Sequence, residues 1–198
     1  MFKSLSVILI ALASLCLNAW ATPALPTAFP VLSADFKQVR TIEGLPQPII
    51  STGHMIISDK HGLYWEQQTP FMLSILFTPT HMVQQIEHGQ KEVITAKNNP
   101  MLFQFNQLLS ALFTMDPKVI EQYFTVTERT EKKGLQTLVL TPKTAPFNQI
   151  FRSITLVHDQ FIREVALKDQ QNDVTHLYFT HHATADALSD FDAKRFNP

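Results

Sequence analysis

Gly53-His54-Met55-Ile56-Ile57-Ser58, then Asp59-Lys60-His61-Gly62, then Leu63-Tyr64-Trp65-Glu66 is the stretch on which the fold turns. Two strand-like runs flank a four-residue polar turn, which is the pattern of a β-hairpin. Side chains alternate across a strand, so Met55, Ile57, Leu63 and Trp65 share one face. His54, Ser58, Tyr64 and Glu66 share the other. One side of the sheet built from this hairpin is therefore apolar.

The same alternation extends outward. Upstream, Leu32, Ala34 and Phe36 interleave with Ser33, Asp35 and Lys37. Downstream, short strands are expected at Met72 to Phe77, Met82 to Ile86 and Glu92 to Ala96. A second group follows at Phe124 to Glu128, Leu135 to Thr141, Phe151 to Val157, Phe161 to Leu167 and Val174 to Thr180. The turns between them, such as Lys132-Lys133-Gly134 and His158-Asp159-Gln160, are short. Connections of that length force antiparallel pairing, because a parallel crossover needs a dozen or more residues. A sheet of about ten or eleven such strands accumulates twist and must curl. The tail from Ala183 to Pro198 receives no element.

Between the two groups the pattern changes. Asn98-Asn99-Pro100 breaks the strands, and Met101, Leu102, Phe105, Leu108, Leu109, Leu112 and Phe113 recur at spacings of three and four. That spacing predicts an amphipathic helix with one apolar stripe. Asp116-Pro117 reads as an N-cap followed by proline at the first helical position, opening a second short helix through Tyr123. A curled sheet with an apolar inner face needs a cover, and the Met101 to Phe113 helix is the natural lid. The fold class is α+β, mainly β. Periodicity leaves open whether sheet and lid pack solid or enclose a cavity.

Residues 1–21 read as a secretory signal peptide: Lys3, an apolar run from Leu5 to Leu17, and a closing Ala19-Trp20-Ala21. The apolar run is too short for a membrane span, and no later segment is long enough. The expected mature chain starts near Thr22 and works outside the cytoplasm. Lipid attachment at Cys16 is the lesser reading, since Leu15 stands where a small residue is wanted. Cys16 is the single cysteine, so a chain cut after Ala21 has no disulfide. Removing 21 of the 198 residues leaves 177, enough for one domain over residues 22–198 that is stable through its core. With Lys3 gone from the 16 basic residues, 15 face 17 acidic ones, and the formal charge is −2. Without a basic run, nucleic acid is a poor partner.

The order of motifs resembles the periplasmic LolA-like lipoprotein carriers. The resemblance rests on Phe36-Lys37-Gln38 in the first strand, the Gly53 to Trp65 hairpin with Pro70 beyond it, the central helical insert, and Leu138-Val139-Leu140-Thr141-Pro142-Lys143 opening the last meander. It implies an unclosed half-barrel whose helical lid covers an apolar concave face that takes up acyl chains. The partners it implies are an acylated lipoprotein or lipid, an inner-membrane donor and an outer-membrane acceptor, with the carrier a monomer. The site it implies is apolar: Phe36, Met55, Ile57, Leu63 and Trp65 from the sheet, and Leu102, Phe105, Leu109 and Phe113 from the lid. The hairpin turn Asp59-Lys60-His61-Gly62 lacks the arginine these carriers place there, and the Pro-rich Thr22 to Pro30 stretch leaves little room for their leading helix. A lipid- or glycolipid-binding accessory or sensor protein on the same fold is the alternative.

Chemistry beyond binding finds little footing. The chain has no G-x-S-x-G elbow and no Gly-rich phosphate loop. Glu128, Glu131, Asp159 and Asp173 are expected in turns as solvated charge, so no catalytic residue is assigned. The histidines, including His54, His61, His81 and the His181-His182 pair, lack zinc-ligand spacing. Neighbouring residues on a strand point to opposite faces, so His181 and His182 cannot both reach one ion if the strand continues there. No metal and no cofactor is expected.

Overall fold

The computed structural model describes residues 29–95, 97–98, 112–113, 115 and 117–197. Eleven strands form one antiparallel sheet: β1 Val31–Thr41, β2 Ile49–Ser58, β3 Gly62–Thr69, β4 Leu73–Phe77, β5 His81–Ile86, β6 Glu92–Thr95, β7 Phe124–Lys132, β8 Leu135–Pro142, β9 Phe151–His158, β10 Ile162–Asp169 and β11 Val174–Ala185. Among the described residues three short helices accompany them: α1 Pro117–Tyr123, α2 Phe147–Ile150 and α3 Asp190–Arg195. The spatial order is β6-β5-β4-β3-β2-β1-β11-β10-β9-β8-β7. Each half is a meander of hairpins, and the halves join where β1 pairs antiparallel with β11. β6 and β7 are left as unpaired edges, so the sheet does not close.

One buried apolar cluster collects residues from ten of the strands, and Ile94 of β6 packs against it. Phe36, Met55, Leu63, Phe77 and Met82 contribute from one half, and Leu140, Ile154, Leu156, Val165 and Phe179 from the other. A flat sheet of this size would hold its edges roughly 48 Å apart at about 4.8 Å per strand. A single cluster shared by both halves therefore requires a strongly curled sheet with its apolar face inside. The chain between β6 and β7 must run from one free edge to the other. Leu112, Phe113, Met115 and Ile120 of that connection are buried in the same cluster. Most of the expected Met101 to Phe113 helix, with Leu102, Phe105 and Leu109, lies outside the described residues.

Several local expectations are corrected. The β2–β3 turn has three residues, because Gly62 already begins β3 with φ +106°, where a Cβ would collide with the Phe77 carbonyl. β7 runs on to Lys132, and Lys133 and Gly134, at φ 55° and 77°, make a two-residue turn of the primed kind that suits strand twist. Glu128 and Glu131 accordingly sit in a strand and not in a turn. The outer face is apolar in part as well: Val31, Ile56, Leu76 and Val83 form a second cluster with Phe196, and Tyr64 and Leu188 pack against it. The tail lays α3 over this patch. Ser189 caps α3, its Oγ accepting from the Asp192 N–H at 3.0 Å.

Gly53 lies opposite Phe36, at a register shift in the β2–β3 ladder. A Cβ there would sit on the Glu66 carbonyl oxygen and 2.7 Å from the Phe36 ring. At Gly134 a Cβ meets nothing within 4 Å. Gly53→Ala should therefore cost more than about 3 kcal/mol by backbone displacement, and Gly134→Ala only about 1 kcal/mol through its positive φ. Urea unfolding of the two variants checks the difference; equal losses would show that the Phe36–Gly53 contact does not constrain the sheet.

Candidate functional site: the apolar inner face

The hairpin alternation places Met55, Ile57 and Leu63 on the inner face, 1%, 6% and 3% exposed. β1 sets Phe36 in the same row, and the Phe36 ring stacks on Trp65 with centroids 3.7 Å apart and planes at 23°. Across the β1–β11 junction Phe36 lies directly opposite Phe179. Phe113 of the central connection meets Phe179 edge-on, centroids 5.1 Å apart and planes at 87°. Such offset and edge-to-face pairs are favourable beyond the area they bury. Of the residues assigned from sequence, Phe36, Met55, Ile57, Leu63 and Phe113 thus belong to one buried cluster with the half-buried Trp65 packed against it, whereas Leu102, Phe105 and Leu109 fall outside the described residues.

Sequence reasoning passed over Phe179, Met82 and Leu140, which stand on the same face. The two-residue period of β11, β5 and β8 carried that signal. The inner face holds little directional chemistry. Buried polar side chains are confined to Ser51, Ser58, Gln67 and His158 among the described residues. His158 follows Ile154 and Leu156 by alternation along β9. Its Nδ1 is 3.0 Å from the Asp159 carbonyl, which makes that nitrogen the donor and leaves Nε2 an acceptor. Nε2 is buried without a hydrogen-bond partner. A face of this kind can bury alkyl surface and offer one acceptor.

His54, His181 and His182 are tied into hydrogen-bond networks away from the inner cluster. Asp35 accepts from His54 Nδ1 at 2.8 Å and from His181 Nδ1 at 3.0 Å. The His54 hydrogen bond, with that of His181 behind it, holds the Asp35 carboxyl below its usual 3.8 against the opposing effect of burial. His181 reaches Asp35 because the strand does not continue regularly: His181 has φ 51°, at a bulge opposite Ser33 to Asp35. Asp173 pairs with Arg40, and Asp159 with Arg163, so neither acid in these turns is simply solvated. Among the described residues no group of three or more His, Cys, Asp or Glu is placed to hold a metal ion.

His182 Nε2 donates to the Ile162 carbonyl at 2.9 Å, and Nδ1 accepts from Arg163 at 3.1 Å. Burial, with the Arg163 guanidinium beside it, pushes the His182 imidazole below its usual 6.5, although the Ile162 carbonyl opposes the shift. The folded state therefore favours neutral His182. Its contribution is complete above the unfolded value near 6.5 and is lost as pH falls through the lower folded value. Thermal melts between about pH 7.5 and 5 should show a smaller acid-induced loss for His182→Gln than for the natural chain. Parallel pH curves would remove this network from the account.

The family model described as outer membrane lipoprotein carrier protein LolA matches residues 28–197. No curated protein matches the chain. Among solved structures, the LolA superfamily protein NE2245 from Nitrosomonas europaea is similar at 7% identity and a TM-score of 0.46, over 84% of this chain and 91% of that one. A DUF1329 family protein from Desulfovibrio piger is similar at 10% identity and a TM-score of 0.43, over 82% and 89% of the two chains. With the family model spanning β1 through α3, the chain belongs to the LolA family of outer membrane lipoprotein carrier proteins.

Proposed function

We propose that this protein is a periplasmic carrier that holds the acyl chains of a lipoprotein or lipid against its inner face and moves them between membranes. The observation that supports it most is the single buried apolar cluster built by ten strands, with Ile94 of β6 packed against it, and by Leu112, Phe113, Met115 and Ile120 of the central connection. An enzyme would need convergent polar groups, and the inner face instead supplies aromatic and aliphatic surface. Burying each methylene contributes about 0.8 kcal/mol before ordering costs, so ten methylenes offer roughly 8 kcal/mol. In this reading residues 1–21 direct export and residues 22–198 act as one monomeric domain. An inner-membrane donor loads it and an outer-membrane acceptor unloads it. No cofactor takes part.

The hairpin turn gives the carrier its own character. Asp59 N–H donates to the Pro30 carbonyl at 3.0 Å, and the His61 ring lies 5.9 Å from Phe196 on the outer side. The turn thus engages the residue just before β1 and the tail beyond β11. Lid closure then depends on apolar contact around Phe113 and not on a guanidinium fork.

Trp65 is the residue to remove. Trp65→Ala takes away the partner of Phe36 and should lower retention of a bound acyl chain about tenfold or more, a loss of roughly 1.4 kcal/mol or above. Gentle mass spectrometry of the purified protein reads the bound lipid, and near-ultraviolet dichroism reads the fold. A natural chain that carries and takes up no lipid would sink the proposal. So would a folded Trp65→Ala chain that retains lipid as well as its parent.

A further inference from the structure

The outer face carries a second recess, formed where the tail crosses β3 to β5. It encloses about 120 Å³, and its walls include Tyr64, Ser74, Gln85, Lys91, Lys194 and Arg195. Three of these are cations, and no carboxylate is among the lining residues. Arg195 lies 5.2 Å over the Tyr64 ring and 4.9 Å over the Phe191 ring, and pairs with Glu66 at 3.5 Å and Asp192 at 3.6 Å. Glu66 also accepts the Tyr64 hydroxyl at 2.8 Å. The two nearby acids are thereby committed to Arg195 and Tyr64. Lys91 and Lys194 have no ion pair among the described residues, so the recess keeps an uncompensated positive charge.

A second, open recess of about 430 Å³ runs beside the first along β5 and β6 and shares Lys91 and Val83 with it. Its lining adds Val93, which is 59% exposed at the sheet edge. Cationic donors thus lead directly onto an apolar shelf. Lysines beside small hydroxyl and amide groups bind compact anions, and an adjoining valine surface accepts a few methylenes.

We propose that this outer cleft binds an anionic amphiphile, a single phosphate or carboxylate head held by Lys91 and Lys194 with its alkyl chain along Val83 and Val93. The site stands apart from the inner face and does not rest on the carrier reading. The test is calorimetric titration of the full mature chain with n-octyl phosphate, inorganic phosphate and n-octyl glucoside, with amide chemical shifts recorded in parallel. Octyl phosphate should bind about tenfold or more tighter than either other probe, and shift Lys91, Val93, Arg195 and Asn197. The Lys91→Gln/Lys194→Gln double variant should weaken octyl phosphate about tenfold or more without a change in melting temperature. Val93→Asp should weaken octyl phosphate and spare inorganic phosphate. Binding should persist in Trp65→Ala, which separates this site from cargo binding. An unchanged affinity in the double variant, or shifts confined to the surroundings of Trp65 and Phe36, would overturn the site. Equal affinity for inorganic phosphate and octyl phosphate would overturn the amphiphile assignment.

Discussion

The pairing of β1 with β11 is the contact on which the rest of the molecule depends. It joins the first strand to the last at the centre of the sheet, so the free edges belong to β6 and β7, the strands that flank the middle of the chain. Of the connection between those edges, Leu112, Phe113, Met115 and Ile120 lie in the inner cluster, so its described part packs on the inner face. The pairing is also costly to form, since it closes nearly the whole chain into a loop before ladder contacts reward it. Its centre is built of side chains that lock together: Phe36 faces Phe179 in register, lies over Gly53, and stacks on Trp65. Gly53 makes this possible because the ring occupies the space a side chain would take.

The two faces of the hairpin are covered in different ways. On the inside, Met55, Ile57 and Leu63 share one buried cluster with Leu112, Phe113 and Met115 of the mid-chain connection. On the outside, Ile56 and Tyr64 meet Phe196 of the tail. Phe196 is 7% exposed, and it brings Arg195 over the Tyr64 ring. Burial, with its hydrogen bond to Glu66, raises the Tyr64 hydroxyl to about 12, so it stays a neutral donor throughout the physiological range. The tail therefore both seals the outer cluster and forms one wall of the cationic cleft.

Much of the sheet was legible in the sequence because a two-residue period acts locally. Each of the eleven strands announces itself by alternation and by its bounding turns, and the hairpin face of Met55, Ile57, Leu63 and Trp65 was readable for the same reason. What alternation cannot express is which strands become neighbours at a distance. The β1–β11 pairing, the edge-on contact of Phe113 with Phe179 and the cleft between Lys91 and Lys194 all join residues far apart in the chain. The α3 helix was missed because six residues are too few for a helical period to show. The outer patch was missed because reading His54, Ser58, Tyr64 and Glu66 as the polar face passes over Ile56. The bulge at His181 was missed because a left-handed residue inside a strand has no compositional mark when it is not glycine.

A carrier's lid also faces a constraint that the buried cluster makes quantitative. Leu112, Phe113 and Met115 are at most 9% exposed, so lifting them into water forfeits about 1.5–3 kcal/mol for each side chain. Opening an empty inner face would thus be rare, a few kcal/mol or more above the closed state. In the proposed carrier role, an acyl chain entering beneath these residues would cover the same surfaces, replacing their contacts with cargo contacts as it goes. Its net affinity would then be the difference between two apolar contacts and not the full transfer free energy of the chain. Such a difference would let cargo be held in water yet surrendered to an acceptor that offers an equally apolar surface.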